Sequence, residues 1–257
     1  MEENIPQIDE VCNNLLEEIQ QSCHIRFQEW NESYCAFKVE NRDDESNAIE
    51  GVINYYKDCK SAHICHELLH AKCDILFGND VLTLFRPDEE NSLCENILDF
   101  RFWESFSNHI QHQIFYAEYI KMGYVARDFF SSLNFEGKSE LKKFTKRNDL
   151  KVNNLYNPSL VALYLDALYH FMFFPLDNRY HTTLRKFRNI DSGLYSIYSD
   201  FYNKVRKVKL NDESKTILHD AEFKLSESLY NWVLKSSMSE LTDEDIRYVN
   251  KLREENN

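Results

Sequence analysis

The segment His66-Glu67-Leu68-Leu69-His70 constrains this chain more than any other stretch of it. Histidines four residues apart lie one turn apart on the same face of an α-helix, so both imidazoles can reach one ion only if the segment is helical. The flanking residues agree with that demand. Ser61 is a candidate N-cap, AHICHELLHAKCDILF has helical apolar spacing, and Gly78 is placed to end the helix in a left-handed C-terminal cap. In such a pattern the two imidazoles bind zinc, which lowers the pKa of a water toward about 7. The carboxylate between them takes a proton during attack on a carbonyl. His66 and His70 are therefore candidate metal ligands and Glu67 the candidate general base. The plain alternative is two partly buried histidines satisfied by ordinary hydrogen bonds.

A catalytic zinc site takes three protein ligands and keeps one position open. The third must come from elsewhere, and residues 92 to 122 read as a helix, continuous or broken once, that ends at Gly123. Its apolar residues cover every side, which implies burial. It offers Glu95 with Asp99, Glu104 with Asn108, and His109 and His112. Nine residues of helix rotate by about 900 degrees, so Glu95 and Glu104 face opposite ways on an unbroken helix. Glu104, Asn108, Gln111 and His112 form a polar stripe, and a buried polar stripe needs a partner such as a metal. Glu95 has an ordinary role near a helix start, facing the dipole. His112 ranks first as third ligand, Glu104 second and Glu95 below them; a core histidine bonded to a backbone carbonyl is the competing reading of His112. A closed structural zinc using Cys73 or Cys65 is also open, although only Cys73, three residues beyond His70, shares its face. His63, one turn before His66, could line a cleft or face solvent. Tyr124 could donate to an oxyanion, or simply pack, and His170 reads as a core histidine.

Elsewhere, residues 8 to 22 place Ile8, Val11, Cys12, Leu15, Leu16 and Ile19 on one helical stripe. Three β-leaning segments follow, at 24–30, 33–40 and 48–56, with the turn-rich NRDDESN before the last, and predict a small antiparallel sheet packed on the histidine helix. From Asn157 onward the pattern is helical, with helices over PSLVALYLDALYHFMFF, RYHTTLRKFRNI, SGLYSIYSDFYNKVRKV and ESKTILHDAEFKLSESLYNWVLKS, and a polar last helix from about Thr242. The more polar 136–156 links the halves. The expected class is α+β and predominantly helical, with a metal-binding core over 1–135 and a helical region over 136–257. Only five glycines and four prolines in 257 residues fit that helical bias.

A formal net charge of -13 repels phosphate backbones and argues against a nucleic-acid partner. With no run of about 18 apolar residues, and a start, MEENIPQIDEVC, unlike a signal peptide, no membrane role and a cytoplasmic location are expected. Seven cysteines, an odd set without paired short spacings, read as reduced thiols.

The order helix, three strands, HELLH helix, then a helix with acidic and histidine candidates resembles the minimal zincin core, especially compact ImmA/IrrE-like and related gluzincin metallopeptidases. The likeness covers about residues 8 to 124. It implies zinc on His66 and His70, Glu67 as base, and a third-ligand segment at Glu104-Ser-Phe-Ser-Asn108 or Glu95-Asn-Ile-Leu-Asp99. The chain departs from the pattern in the long gap from His70 to Glu104. NHIQHQIFYAEYIKMGY is similar instead to a helix of other HExxH proteins in which a histidine precedes a Gly-Tyr or Gly-Phe ending, which favours His112. The expected activity is a zinc metallopeptidase acting on a peptide or protein. The alternative is a non-catalytic, zincin-shaped binding or regulatory protein with a structural metal or none.

Overall fold

Asp9 caps the first helix: its carboxylate accepts the Cys12 amide at 2.9 Å at the start of α1 (Glu10–Ile19). The structure, a computed structural model, describes residues 6–42, 49–83, 100–131, 147–152, 155–173 and 180–236. Cys12, Leu15, Leu16 and Ile19 form the buried face of α1. Val11, expected on the same stripe, is 39% exposed, because at about 100 degrees per residue it falls roughly a right angle from the centre of that face.

Strands β1 (Cys23–Trp30), β2 (Ala36–Arg42) and β3 (Ile49–Tyr56) make one sheet in the order β1-β3-β2. The sheet is mixed, which corrects the antiparallel expectation: β2 pairs antiparallel with β3, but β1 pairs parallel with it. Alternation of apolar residues marks a strand without giving its direction. Burial explains which strand is central. Along β3, Ile49, Gly51, Val52, Ile53 and Tyr55 are all buried, on both faces, whereas β1 buries only alternate residues, Cys23, Ile25 and Phe27. A Cβ at Gly51 would collide with the Phe37 ring of β2, so glycine is what lets that ring lie flat across β3.

Helix α2 (Ser61–Thr83) follows β3. Its first turn corrects a second expectation. The Lys60 carbonyl accepts the His63 amide at 2.9 Å, so Ser61 is already the first helical residue, and its hydroxyl accepts the Asp9 amide at 2.9 Å rather than capping its own helix. Gly78, at φ 68°, interrupts the helix in the left-handed region where a Cβ would be strained. Lys72 pairs with Glu18 of α1 at 2.6 Å. Helix α3 (Phe100–Lys121) ends two residues before Gly123, and α4 (Ala126–Ser131) holds Asp128 against Lys60 at 2.7 Å. Helix α3 is not buried all round: Asn108 and Ile120 are exposed. The part of the expected helix before Phe100, with Glu95 and Asp99, lies outside the described residues, as does the polar helix expected from Thr242.

The chain groups into two compact units, Met1–Asn79 with Ile114–Asn134 and Lys209–Asp212, and Asp80–Gln113 with Phe135–Val208 and Glu213–Asn257. The division falls inside α3, which runs unbroken through it. The fold is α+β and mostly helical. Among the described residues, no helix is long and apolar enough to cross a membrane.

In the second unit a two-stranded hairpin, β4 (Lys151–Val152) with β5 (Leu155–Tyr156), occupies part of the stretch expected only to link. Helices α5 (Pro158–Phe173), α6 (Tyr180–Ile190), α7 (Ser192–Val205) and α8 (Lys215–Lys235) follow the helical periodicity closely. Asp191 organises their junction: its Oδ1 accepts the Gly193 and Leu194 amides at 3.0 Å each, capping α7, while Oδ2 accepts the Tyr156 hydroxyl at 2.7 Å. The side chain of His170, on α5, lies outside the described side chains.

Glu222 of α8 is the costly residue in this unit. It is 1% exposed, its carboxylate has no hydrogen-bond partner among the described residues, and burial pushes its carboxyl well above the usual range. Tyr169, whose ring meets that of Tyr198 edge to face at 4.6 Å, lies near enough for the two acids to interact. A carboxyl with a raised folded-state pKa leaves stability intact below the unfolded value of about 4.3 and removes it as pH rises toward the folded value. Glu222→Gln is therefore expected to stabilise the protein at pH 8 by on the order of 1–3 kcal/mol and to have a smaller effect at pH 5. Thermal melts of both proteins at the two pH values check this, and an equal shift at both would contradict it.

Candidate metal centre

The two motif histidines sit on the buried face of α2, where Leu68, Leu69 and Ala71 are wholly buried around them. Each fully buried leucine contributes roughly 1.5–3 kcal/mol, enough to hold the helix against the sheet and fix the imidazole positions. His66 and His70 approach through their Nε2 atoms at 3.2 Å, with ring centroids 5.0 Å apart. The Phe115 ring of α3 stands edge-on to both, at 5.4 Å from His66 and 4.9 Å from His70. His112 lies three residues before Phe115 on the same helix, so it shares Phe115's face. That register brings His112, 1% exposed, to the pair: one ligand atom from each of His66, His70 and His112 lies within 4.8 Å of the others. The group could hold a metal ion.

The surroundings favour neutral imidazoles. Burial, then the nearby His70 and His63, holds His66 well below its ordinary pKa, and the neutral ring is the form that donates a lone pair. Phe129 and Tyr119 complete an aromatic wall around His66, with centroids at 4.7 and 6.3 Å. Such a dry wall strengthens any electrostatic interaction made inside it.

Glu67 is 6% exposed, and its Oε2 accepts the Phe37 amide at 2.7 Å. Burial raises its carboxyl to about 8, against the stabilising pull of that amide. A cation in the histidine cluster would reverse the balance and favour the carboxylate. One hydrogen bond leaves a carboxylate further acceptor sites, so Glu67 keeps capacity for a proton.

The remaining sequence candidates are distributed differently. Glu104 lies on α3, but its side chain is outside the described ones, and Glu95 is outside the described residues altogether. The polar stripe is not buried as a unit: Asn108 is exposed and Gln111 half-buried, and among its described side chains only His112 is enclosed. His109 is buried and pushed down to about 4, yet it is not part of the three-histidine group. Cys73 and Cys65 are buried free thiols and also stand outside it. Tyr124 donates its hydroxyl to Asp9 at 2.8 Å, tying α3's end to the cap of α1 instead of presenting a donor for an oxyanion. His63 is half-buried and shares a 2.7 Å hydrogen bond with the Tyr56 hydroxyl. Two contributors escaped sequence reasoning. The Phe37 amide could not be found without the pairing of β2, whereas Phe115 carried a signal, being one helical turn beyond His112.

Comparison with known protein families, with curated proteins and with solved structures finds no match for this chain.

Proposed function

We propose that the protein is a zinc-dependent metallohydrolase acting on peptide bonds, with Glu67 as general base. The observation that carries this reading is the convergence of His66, His70 and His112 within 4.8 Å, with Glu67 next to His66 on the same helix. Two nitrogens bound tetrahedrally at about 2.0–2.1 Å from zinc stand about 3.3 Å apart, and the His66–His70 Nε2 separation of 3.2 Å suits that arrangement. Three histidines leave one coordination position for water or substrate, and the all-imidazole donor set fits zinc better than the oxygen-seeking magnesium or calcium. The order of sheet, motif helix and His112 helix adds support through its resemblance to minimal zincins.

Zinc bound there would supply a polarised water and a Lewis acid for the scissile carbonyl. Glu67 would take the proton of the attacking water and return it to the leaving amine. The Phe37 amide holds the carboxylate still for both transfers, so little of the barrier is spent on orientation. The aromatic wall of Phe115, Tyr119 and Phe129 keeps bulk water from the imidazoles.

The competing reading, a non-catalytic scaffold with a structural metal, draws on one observation: Glu67 is buried and already hydrogen-bonded. A mixed peptide library incubated with zinc-loaded protein separates the two. New fragments that disappear with a chelator and return with zinc are expected; an intact library with zinc-loaded, folded protein would contradict hydrolysis of peptides.

A further inference from the structure

Cys65 lies beside His66 on α2 and is wholly buried. Its thiol donates to the thioether sulfur of Met122 at 3.6 Å. Met122 follows the last residue of α3, and its amide still bonds the Glu118 carbonyl at 3.0 Å. The thioether is thus carried by the same helical turn that brings Tyr119 to the His66 ring, with centroids 6.3 Å apart. Tyr124, just beyond, packs on Tyr119 at 5.1 Å and donates to Asp9. The sulfur contact therefore joins the motif helix to the end of the helix that carries His112.

Exposure sets Met122 apart. It is half-buried, so a small oxidant can reach it, whereas Met172 of the second unit is 3% exposed. Cys65 occupies one lone pair of the Met122 sulfur, and the other stays nucleophilic. Oxidation turns a thioether from a flexible apolar group into a polar, chiral one and disrupts the packing around it. At Met122 the added oxygen is a much stronger acceptor than the sulfur, so the Cys65 thiol must turn to it or lose its bond. Either change moves the end of α3 against α2, next to His66.

We propose that Met122 is an oxidation site at which a hydroperoxide forms a sulfoxide, and that this modification weakens the metal centre by loosening the end of α3 from α2. The effect on the metal rests on the three-histidine reading; the oxidation itself does not. With hydrogen peroxide, a lone pair of the Met122 sulfur attacks one oxygen, the O–O bond breaks and hydroxide departs. The new S–O–H group gives its proton to that hydroxide, leaving the sulfoxide and one water. Sulfur loses two electrons and the peroxide gains them. Enzymatic reduction of the sulfoxide makes the change reversible.

The test treats reduced full-length protein, with and without zinc, with excess hydrogen peroxide and then with dithiothreitol. The thiol returns disulfides and sulfenic acids to cysteine and leaves sulfoxides in place. Peptide mass spectrometry should find one added oxygen on Met122 at least about tenfold faster than on Met172, the buried comparison. The zinc-free melting temperature should fall by about 2–4 °C. Zinc affinity, read by chelator competition, should fall by about tenfold or more. Met122→Leu, close in volume and without sulfur, should hold both values through the same treatment. Equal oxidation of Met122 and Met172 would overturn the site. A fully oxidised Met122 with unchanged melting temperature and zinc affinity, or equal losses in Met122→Leu, would overturn its effect. If untreated protein takes up no zinc, the metal reading fails and the weakening of the centre falls with it, while the oxidation rates and the zinc-free melts still decide the site. The wild-type comparisons stand even if the variant fails to fold.

Discussion

Glu67→Gln is expected to keep the metal and lose about 10²–10⁴-fold in peptide hydrolysis, the usual contribution of a positioned general base. The substitution retains size and an oxygen that can accept the Phe37 amide, the bond now made at 2.7 Å, so the anchor on β2 survives while the proton acceptor is removed. Metal content and thermal midpoint, measured beside the turnover of library-derived peptides, check that the loss is chemical. Unchanged turnover in a zinc-loaded Glu67→Gln protein would remove Glu67 from the reaction and favour the scaffold reading.

Replacing a histidine acts one step earlier, on the metal itself. Loss of an outer-shell partner typically costs 10–100-fold in metal affinity, so His66→Ala and His112→Ala, each deleting a direct donor, should cost at least about 100-fold. Affinity can be followed by competition with a chromophoric chelator. A bound ion at 100 times its dissociation constant stabilises the fold by about 2.7 kcal/mol, so zinc should raise the wild-type melting temperature and leave both variants nearly unmoved. Equal zinc affinity in wild type and His112→Ala would exclude His112 as a ligand and return attention to Glu104.

The difference between what the residues announce and what only the folded chain reveals is physical. A period of 3.6 residues is local, so the histidine helix, its break at Gly78 and the helices α5 to α8 were all legible. His112 was legible as an enclosed polar group in an apolar context, the kind of residue that must find a partner. Its neighbours misled: Asn108 and Gln111 share the stripe by spacing, yet only His112 is enclosed, because the covered part of α3 is narrower than its apolar composition implied. Strand direction was not legible, since β1 keeps the same alternation in either orientation, and its parallel pairing depends on β3 taking the doubly buried centre. Ser61 shows the limit of capping rules: its hydroxyl was competed for by the Asp9 amide, a contact made across the fold. The Glu67–Phe37 bond is likewise a product of tertiary pairing, and no local pattern encodes it.

A single zinc ion held by His66, His70 and His112 is what the proposed chemistry requires. Zinc-edge X-ray absorption on the purified, zinc-loaded protein tests it most directly. About one zinc per chain is expected, with three imidazole nitrogens at about 2.0–2.1 Å and one oxygen donor. A shell containing sulfur at about 2.3 Å, or a protein that takes up no zinc, would contradict it.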